Sequence, residues 1–436
     1  MTFTLKIEKI VFGGCGLGYH ESKTCFVFGS FVDDVVNVKV LYTKKNSYFC
    51  EIVEIVEPSK YRGETRCELA RLCGACNWVN VDYDKQIEIK TTIYNNVFDN
   101  SKNDLLISES PVIDYYRNKC FYPVQLQDDK IVIGMYAHST HDVVEHKHCF
   151  LYPKIFRDIV DDIKEWMSLA KVKPYDREMH SGEVRHIGFR YSADSKSIIV
   201  VLVTRTKRLS FTKILVRELT KKYSEVVGIV QNIQDLQTNV VLGTKEKVLY
   251  GDSYFIETLG GKSFKIDYNA FCQVNIQQAL KVYNDIATFV NEGSVAIDAY
   301  SGIGFIANFV ADKAKKVICI ESNKVAVSCG IYNSKLNNFD NIYYTVGQTE
   351  TVLENTIATH KPDTIIFDPP RRGLQKSVVE TVSRHKIKII YLSCDPVTQR
   401  RDIGLLKENG YKLTHLKGYD MFPHTWHIES LAVLEL

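Results

Sequence analysis

The sequence has no long apolar stretch. A membrane helix needs about 18 or more consecutive apolar residues, and the longest candidate here is the strand-like run 197–203. No membrane partner is therefore expected. The chain opens Met-Thr-Phe-Thr-Leu-Lys, without the apolar segment of a secretory signal, so a cytoplasmic location is expected. It also has little net charge, +3, with 55 Lys and Arg against 52 Asp and Glu. Such balance neither requires nor excludes nucleic acid, and any RNA surface must be a local patch. Gly13 to Gly18 is followed by no helical pattern, which excludes a dinucleotide fingerprint there.

What is present is length and thiols. A chain of 436 residues exceeds one ordinary core and predicts two or three domains. Twelve cysteines in a chain that is not exported point to thiols, catalysis or metal, and disulfides are not expected. Cys67, Cys73 and Cys76 are separated by five and then two residues, and Gly74-Ala75 permits the tight turn that aims two thiolates at one metal. A fourth ligand is absent locally. Cys120 and Cys149 lie downstream, and spacing chooses neither between them nor between zinc and an iron–sulfur cluster.

Along the chain, residues 1–58 read as a small β domain. Short β-rich runs at 6–11, 25–27, 35–41 and 48–56, separated by glycine turns, predict a five-stranded barrel of OB type. Tyr42, Lys44, Lys45 and Tyr48 are expected at its surface, where aromatics stack on bases and lysines follow phosphates. Residues 59–265 predict a central α+β domain, with a helix at 83–98 and part of 80–110 packing on the catalytic domain. Its basic run Arg205, Lys207, Arg208 and Lys213 is a second RNA candidate.

Residues 266–436 read as an α/β domain of Rossmann type. An apolar run at 295–299 enters the turn Tyr300-Ser301-Gly302-Ile303-Gly304, and a helix is predicted over 305–314. The next strand ends at Glu321, an acidic group placed to accept hydrogen bonds from both ribose hydroxyls. Without a third glycine there is no pyrophosphate cradle, which favours a nucleoside lacking phosphates, S-adenosylmethionine being the common one. A further strand ends in Asp368-Pro369-Pro370-Arg371-Arg372-Gly373, whose prolines make a stiff loop. The run 389–393 ends in Cys394-Asp395-Pro396, which places a thiol at the carboxyl end of a buried strand.

Phe271-Cys272-Gln273-Val274-Asn275, the turn from Asp298 to Gly304, the Asp368 loop, Ser393-Cys394-Asp395-Pro396 and the stretch from Phe422 to Glu429 together resemble the RNA uracil-5-methyltransferases. The resemblance covers essentially the whole chain. It implies that Cys394 is the nucleophile that adds to uracil C6, that Glu429 removes the C5 proton, and that Gln273, Tyr300, Glu321 and Asp368 bind the cofactor S-adenosylmethionine. It implies that Cys67, Cys73, Cys76 and Cys149 hold a [4Fe–4S] cluster, and that the N-terminal domain is an RNA-binding TRAM barrel. The partner it implies is RNA, 23S ribosomal RNA first and the T-loop uridine of tRNA as alternative; no DNA is expected, and a monomer is. A methyltransferase of exocyclic amines has an Asn-Pro-Pro-aromatic loop and needs no cysteine, unlike this chain. A non-catalytic RNA-binding iron–sulfur protein is the rival of different class, and failure to bind S-adenosylmethionine would single it out.

Overall fold

The computed structural model describes every residue except Arg71, Asn103 and Ser139. The chain divides into two compact units, one formed by 1–70, 76–113 and 350–436, the other by 71–75 and 114–349. Among the described residues no helix is long and apolar enough to cross a membrane.

The first unit begins with a sheet in the order Thr2–Lys6, Val35–Lys44, Ser47–Glu57, Lys23–Phe28, Cys15–His20, Lys9–Val11. Six strands stand where five were expected, because the predicted strand 6–11 is interrupted. Ile7 N–H donates to Asp34 O (2.8 Å) and Glu8 N–H to Leu17 O (2.9 Å), so the chain leaves one neighbour, Val35–Lys44, and joins another, Cys15–His20. Alternating residues turn Leu5, Cys25, Val27, Val36, Val38, Tyr48 and Cys50 into a common core. Tyr48 is therefore not a surface aromatic: it is 8% exposed, and Lys23 Nζ donates to its hydroxyl at 2.9 Å. Tyr42 is exposed as expected, stacked on Phe49 with centroids 4.6 Å apart, and Lys44 and Lys45 are exposed beside it in sequence.

A second core joins this sheet to the rest of the unit. Ile10 and Phe31 pack with Trp78, with Ile89 and Ile93 of the helix Tyr83–Val97, and with Ile428. At Gly14 a side chain is excluded twice over. Its φ is +73°, which L-residues rarely adopt, and a Cβ would lie 2.5 Å from Trp426 Cδ1.

The same unit holds a sheet that begins with the parallel pair Thr364–Phe367 and Lys388–Ser393. It continues antiparallel through Glu429–Glu435 to Lys412–Tyr419, and ends on the short parallel strand Ile107–Ser108. Strand Lys388–Ser393 is buried on both faces apart from its first residue, which is why its sequence is a continuous apolar run.

In the second unit, a mixed sheet runs Lys245–Gly251, Val226–Ile233, Ile198–Thr204, Val184–Tyr191, Lys119–Gln127, Lys130–Ile133, flanked by helices Ile155–Leu169 and Thr212–Lys222. Parallel strands Val295–Ala299, Lys316–Glu321 and Ile342–Val346 pair side by side elsewhere in this unit. The helix after the glycine turn is shorter than predicted, Phe305–Val310. All six of its residues are buried, so the apolar run carried no amphipathic period from which its end could be read.

Candidate active site

Three strand ends of the first unit converge by register. Ser393 pairs with Ser430 as the last rung, so Cys394, which follows the one, and Glu429, which precedes the other, stand at neighbouring strand ends, close enough for the Glu429 charge to act on the thiol. Phe367 pairs with Tyr391, which sends Asp368 out of the sheet alongside them. The rung is locked from behind: Gln399 Nε2 donates to Tyr391 O (2.8 Å) and Ser430 O (3.1 Å), and Ser430 Oγ lies 2.7 Å from the Tyr94 hydroxyl.

The chain after Cys394 turns sharply into helix Pro396–Glu408. Asp395 caps it, accepting from Val397 N–H (3.1 Å) and Thr398 N–H (2.9 Å), with Pro396 at the first position. That helix also fixes the Asp368 loop. Buried Asp402 accepts from Leu374 N–H and the Tyr391 hydroxyl, both at 2.8 Å, and Arg401 Nη2 donates to Arg372 O at 2.9 Å. Gly373 fits because its φ is +73° and a Cβ would stand 2.4 Å from Asp402 Oδ2.

Charge and burial oppose each other here. Burial pushes the Cys394 thiol up to about 12, the Glu429 and Asp368 carboxylates push the same way, and the Arg371 guanidinium pulls against them. Burial raises Asp368 to about 7. Glu429 is 1% exposed and neither carboxylate oxygen has a hydrogen-bond partner; burial and then Asp368 push it well above the usual carboxylate range, against Arg371. At neutral pH the resting cysteine is therefore a thiol, with two poorly solvated carboxylates next to it.

A stability signature follows. Folded Asp368 keeps its proton to about pH 7, whereas an unfolded aspartate loses it near pH 4. Between these values the native state binds more protons, so stability falls as pH rises. Asp368→Asn should remove this term: from pH 5 to 7.5 the wild type should lose roughly 2 kcal/mol more unfolding free energy than the variant. Urea denaturation at the two pH values measures it, and equal losses would contradict the assignment.

Three of the cofactor candidates, Gln273, Tyr300 and Glu321, lie in the second unit, Tyr300 and Glu321 at strand ends and Gln273 two residues before a helix cap. Tyr300 has φ +63° and directly follows strand Val295–Ala299. At Gly302 (φ +53°) a Cβ would meet nothing within 4 Å, which leaves backbone open to a ligand. Glu321 Oε2 accepts from Gly302 N–H (3.0 Å), and Oε1 from Asn323 N–H (2.7 Å). With about four lone-pair directions on a carboxylate, it retains capacity for ribose hydroxyls. Gln273 is buried, and its carbonyl accepts from Asn118 Nδ2 at 3.0 Å. Arg190, 1% exposed, ties this segment to the central sheet through Ala270 O and Asn118 Oδ1.

Cys67, Cys73, Cys76 and Cys149 are partly exposed. Gly74 lies close against the backbone at 136–138, with its N–H donating to Tyr136 O at 3.0 Å. Among the described residues, however, no three His, Cys, Asp or Glu side chains gather closely enough to hold a metal. The donors are right in kind for a cluster but are not assembled as one, and no chemical step is routed through it. Arg205 is partly buried, its Nε donating to Gly182 O at 2.9 Å, while Lys207, Arg208 and Lys213 are exposed. A cleft of about 1380 Å³ in the second unit is lined by Tyr136, Tyr175, Arg177 and Arg185 among others, and by none of the predicted site residues.

Sequence reading missed the groups that set the Glu429 loop, because their partners are hundreds of residues away. Lys90 and Asp420 form an ion pair with both side chains fully buried, and Gln86 holds His424. Gln86 and Lys90 among the apolar positions of the buried helix face, with Ile89 and Ile93, were the local signal.

A glycine turn and an acidic strand end in one unit, and strand ends carrying a thiol and two carboxylates in the other, are features of the class of S-adenosylmethionine-dependent methyltransferases. Residues 82–436 match the family described as tRNA (Uracil-5-)-methyltransferase. The chain is 33% identical to uncharacterized RNA methyltransferases of Clostridium tetani (99% of this chain, 96% of the relative) and of Halalkalibacterium halodurans (99% and 96%). Its fold is that of the Pyrococcus abyssi tRNA (uracil-54, C5)-methyltransferase solved with S-adenosyl-L-homocysteine, with TM-score 0.81, 24% identity and 100% of both chains covered. The chain belongs to the tRNA (uracil-5-)-methyltransferase family and is an S-adenosylmethionine-dependent RNA methyltransferase.

Proposed function

We propose that this protein methylates C5 of a uridine in RNA through a covalent adduct between Cys394 and C6. The observation that carries the reading is the pairing of Ser393 with Ser430, which leaves Cys394 and Glu429 at neighbouring strand ends, the carboxylate buried and without a hydrogen bond among the described residues and its charge felt by the thiol. S-adenosylmethionine supplies the methyl group as an electrophile, held by Gln273, Tyr300, Glu321 and Asp368. As the uracil enters, Cys394 loses its proton to the Asp368 carboxylate, which leaves Glu429 ionised for the later step, and the sulfur bonds to C6. The C5=C6 electron pair moves toward O4, and C5 becomes nucleophilic enough to take the methyl group. Glu429 then removes the C5 proton, the double bond re-forms, and Cys394 leaves as thiolate. A carboxylate with a raised proton affinity and no competing hydrogen bond suits that last step. The target base must leave its stack, which costs a few kcal/mol and least in loops.

For the RNA, the exposed Tyr42–Phe49 stack with Lys44 and Lys45 supports a platform on the N-terminal sheet, and 23S ribosomal RNA is the first target. The T-loop uridine of tRNA is the second reading, favoured by the full-length likeness to an enzyme named for uracil 54 of tRNA. Mass-spectrometric mapping of 5-methyluridine in ribosomal and transfer RNA from cells with and without the gene tests both. One position should lose its methyl group on deletion and regain it on complementation; unchanged 5-methyluridine in every RNA would contradict the function.

We also propose that Cys67, Cys73, Cys76 and Cys149 hold a [4Fe–4S] cluster apart from the chemistry. Anaerobically purified protein should contain iron and acid-labile sulfide in equal amounts, and lose both on Cys73→Ser. Zinc, or no metal, would refute it.

A further inference from the structure

Glu429 presents a problem of aim. Among the described residues neither of its carboxylate oxygens has a hydrogen-bond partner, so no hydrogen bond holds the side chain directly. Its direction depends on where the backbone delivers it, and that is decided by 420–428, which leaves the sheet after Lys412–Tyr419 and returns at Glu429–Glu435.

The segment has little internal structure. Thr425 bonds back to Phe422 O through its N–H (3.2 Å) and its hydroxyl (2.8 Å), and His424 sits at φ +65°, a conformation a residue with a Cβ keeps only when its surroundings enforce it. The enforcement comes from helix Tyr83–Val97 and the residues before it. Gln86 Oε1 accepts from His424 N–H at 2.8 Å, and Gln86 Nε2 lies 3.1 Å from His424 Nδ1. Trp78 N–H donates to His424 O at 3.0 Å. One turn along the helix, Lys90 Nζ reaches Asp420 Oδ1 at 2.5 Å and Phe422 O at 3.1 Å.

Both clamps are built from groups that an apolar packing face would not choose. Gln86 and Lys90 are 0% exposed, and burial lowers the proton affinity of Lys90 against the pull of Asp420. Burying such a pair gives little net stability, whereas it does fix one arrangement. On the far side Phe12 meets Trp426 edge-on with centroids 5.0 Å apart, and Trp426 lies 3.8 Å from the His427 ring. The segment is thus gripped at its start, middle and end before it delivers Glu429.

We propose that Lys90, acting through Asp420, and Gln86, acting through His424, are positioning residues for Glu429, and that they govern release of the covalent adduct more than its formation. The proposal rests on the reading of Glu429 as the base that removes the C5 proton. Loss of either clamp lets the backbone drift, which disturbs proton removal while leaving Cys394, on the neighbouring strand, in place.

The test uses the full-length protein with its methylatable RNA in single turnover, following the denaturation-resistant protein–RNA adduct through its rise and decay, with S-adenosylmethionine affinity measured separately. Lys90→Met and Gln86→Met should each form adduct within about threefold of the wild-type rate, bind cofactor unchanged, and resolve the adduct at least tenfold more slowly. Should Lys90→Met not fold, its buried partner Asp420 being stranded, Gln86→Met, which leaves no charge unpaired, carries the test alone. Adduct that resolves at the wild-type rate, or formation and resolution that fall in parallel, would overturn the proposal. If wild-type protein forms no adduct on an RNA it methylates, the catalytic reading itself fails, and that outcome is distinct from normal adduct with clamp-independent release.

Discussion

Cys394→Ala should abolish 5-methyluridine formation while S-adenosylmethionine binds with unchanged affinity. Uracil C5 is too weak a nucleophile to take a methyl group from a sulfonium at a useful rate until a group adds at C6, so removing the thiol removes the activating step. Losing a nucleophile costs other enzymes roughly four to six orders of magnitude in turnover, and a loss of that order is expected here. The cofactor candidates Gln273, Tyr300 and Glu321 lie on other segments, which is why binding should survive. Filter assay of methyl incorporation, with calorimetric titration of the cofactor, separates the two. Measurable multiple turnover by the variant would remove Cys394 from the mechanism.

Glu429→Gln should produce the opposite kind of failure. The amide preserves size at a site only 1% exposed but cannot take a proton, so Cys394 adds, the methyl group transfers, and the product stays attached. The expected result is one methyl group per protein, followed by arrest as a denaturation-resistant adduct. Because burial and Asp368 already push the wild-type group well above the usual carboxylate range, the neutral amide resembles the protonated acid, and the variant should be about as stable as the wild type. Normal turnover without adduct would place the base elsewhere.

Much of this arrangement was legible because chemistry sits where apolar runs stop. Tyr300, Asp368 and Cys394 each follow a short buried strand, and strand burial imposes a largely apolar run that the sequence displays. Glu429 is readable for the same reason from the other side, as the polar residue that opens the last strand. Tyr48 was placed wrongly although the clue was available, since it alternates with Cys50 and both face the inner side of the N-terminal sheet. The helix at 305 was extended too far because a fully buried helix has no polar face to mark its turns. The Lys90–Asp420 and Gln86–His424 clamps were out of reach on different grounds. Each joins residues more than three hundred positions apart, and local pattern contains no information about such pairs.

The cysteine set marks a different boundary. Spacing of Cys67, Cys73 and Cys76 shows a chain able to turn three thiols together, yet the described side chains do not gather as a metal site. Spacing reports what the backbone permits. Assembly of a cluster depends also on the metal, whose binding free energy is part of the folding of its own ligands.

The central claim is a covalent bond between Cys394 and the uracil ring, and fluorine at C5 tests it most directly. A 5-fluorouridine RNA can accept the thiol and the methyl group but cannot give up fluorine as a proton, so the adduct cannot resolve. Incubating the protein with S-adenosylmethionine and such an RNA, then digesting and sequencing the cross-linked peptide by mass spectrometry, should return the peptide containing Cys394 joined to a methylated fluorouridine. A cross-link at any other residue, or none from an RNA whose unfluorinated form is methylated, would contradict the account.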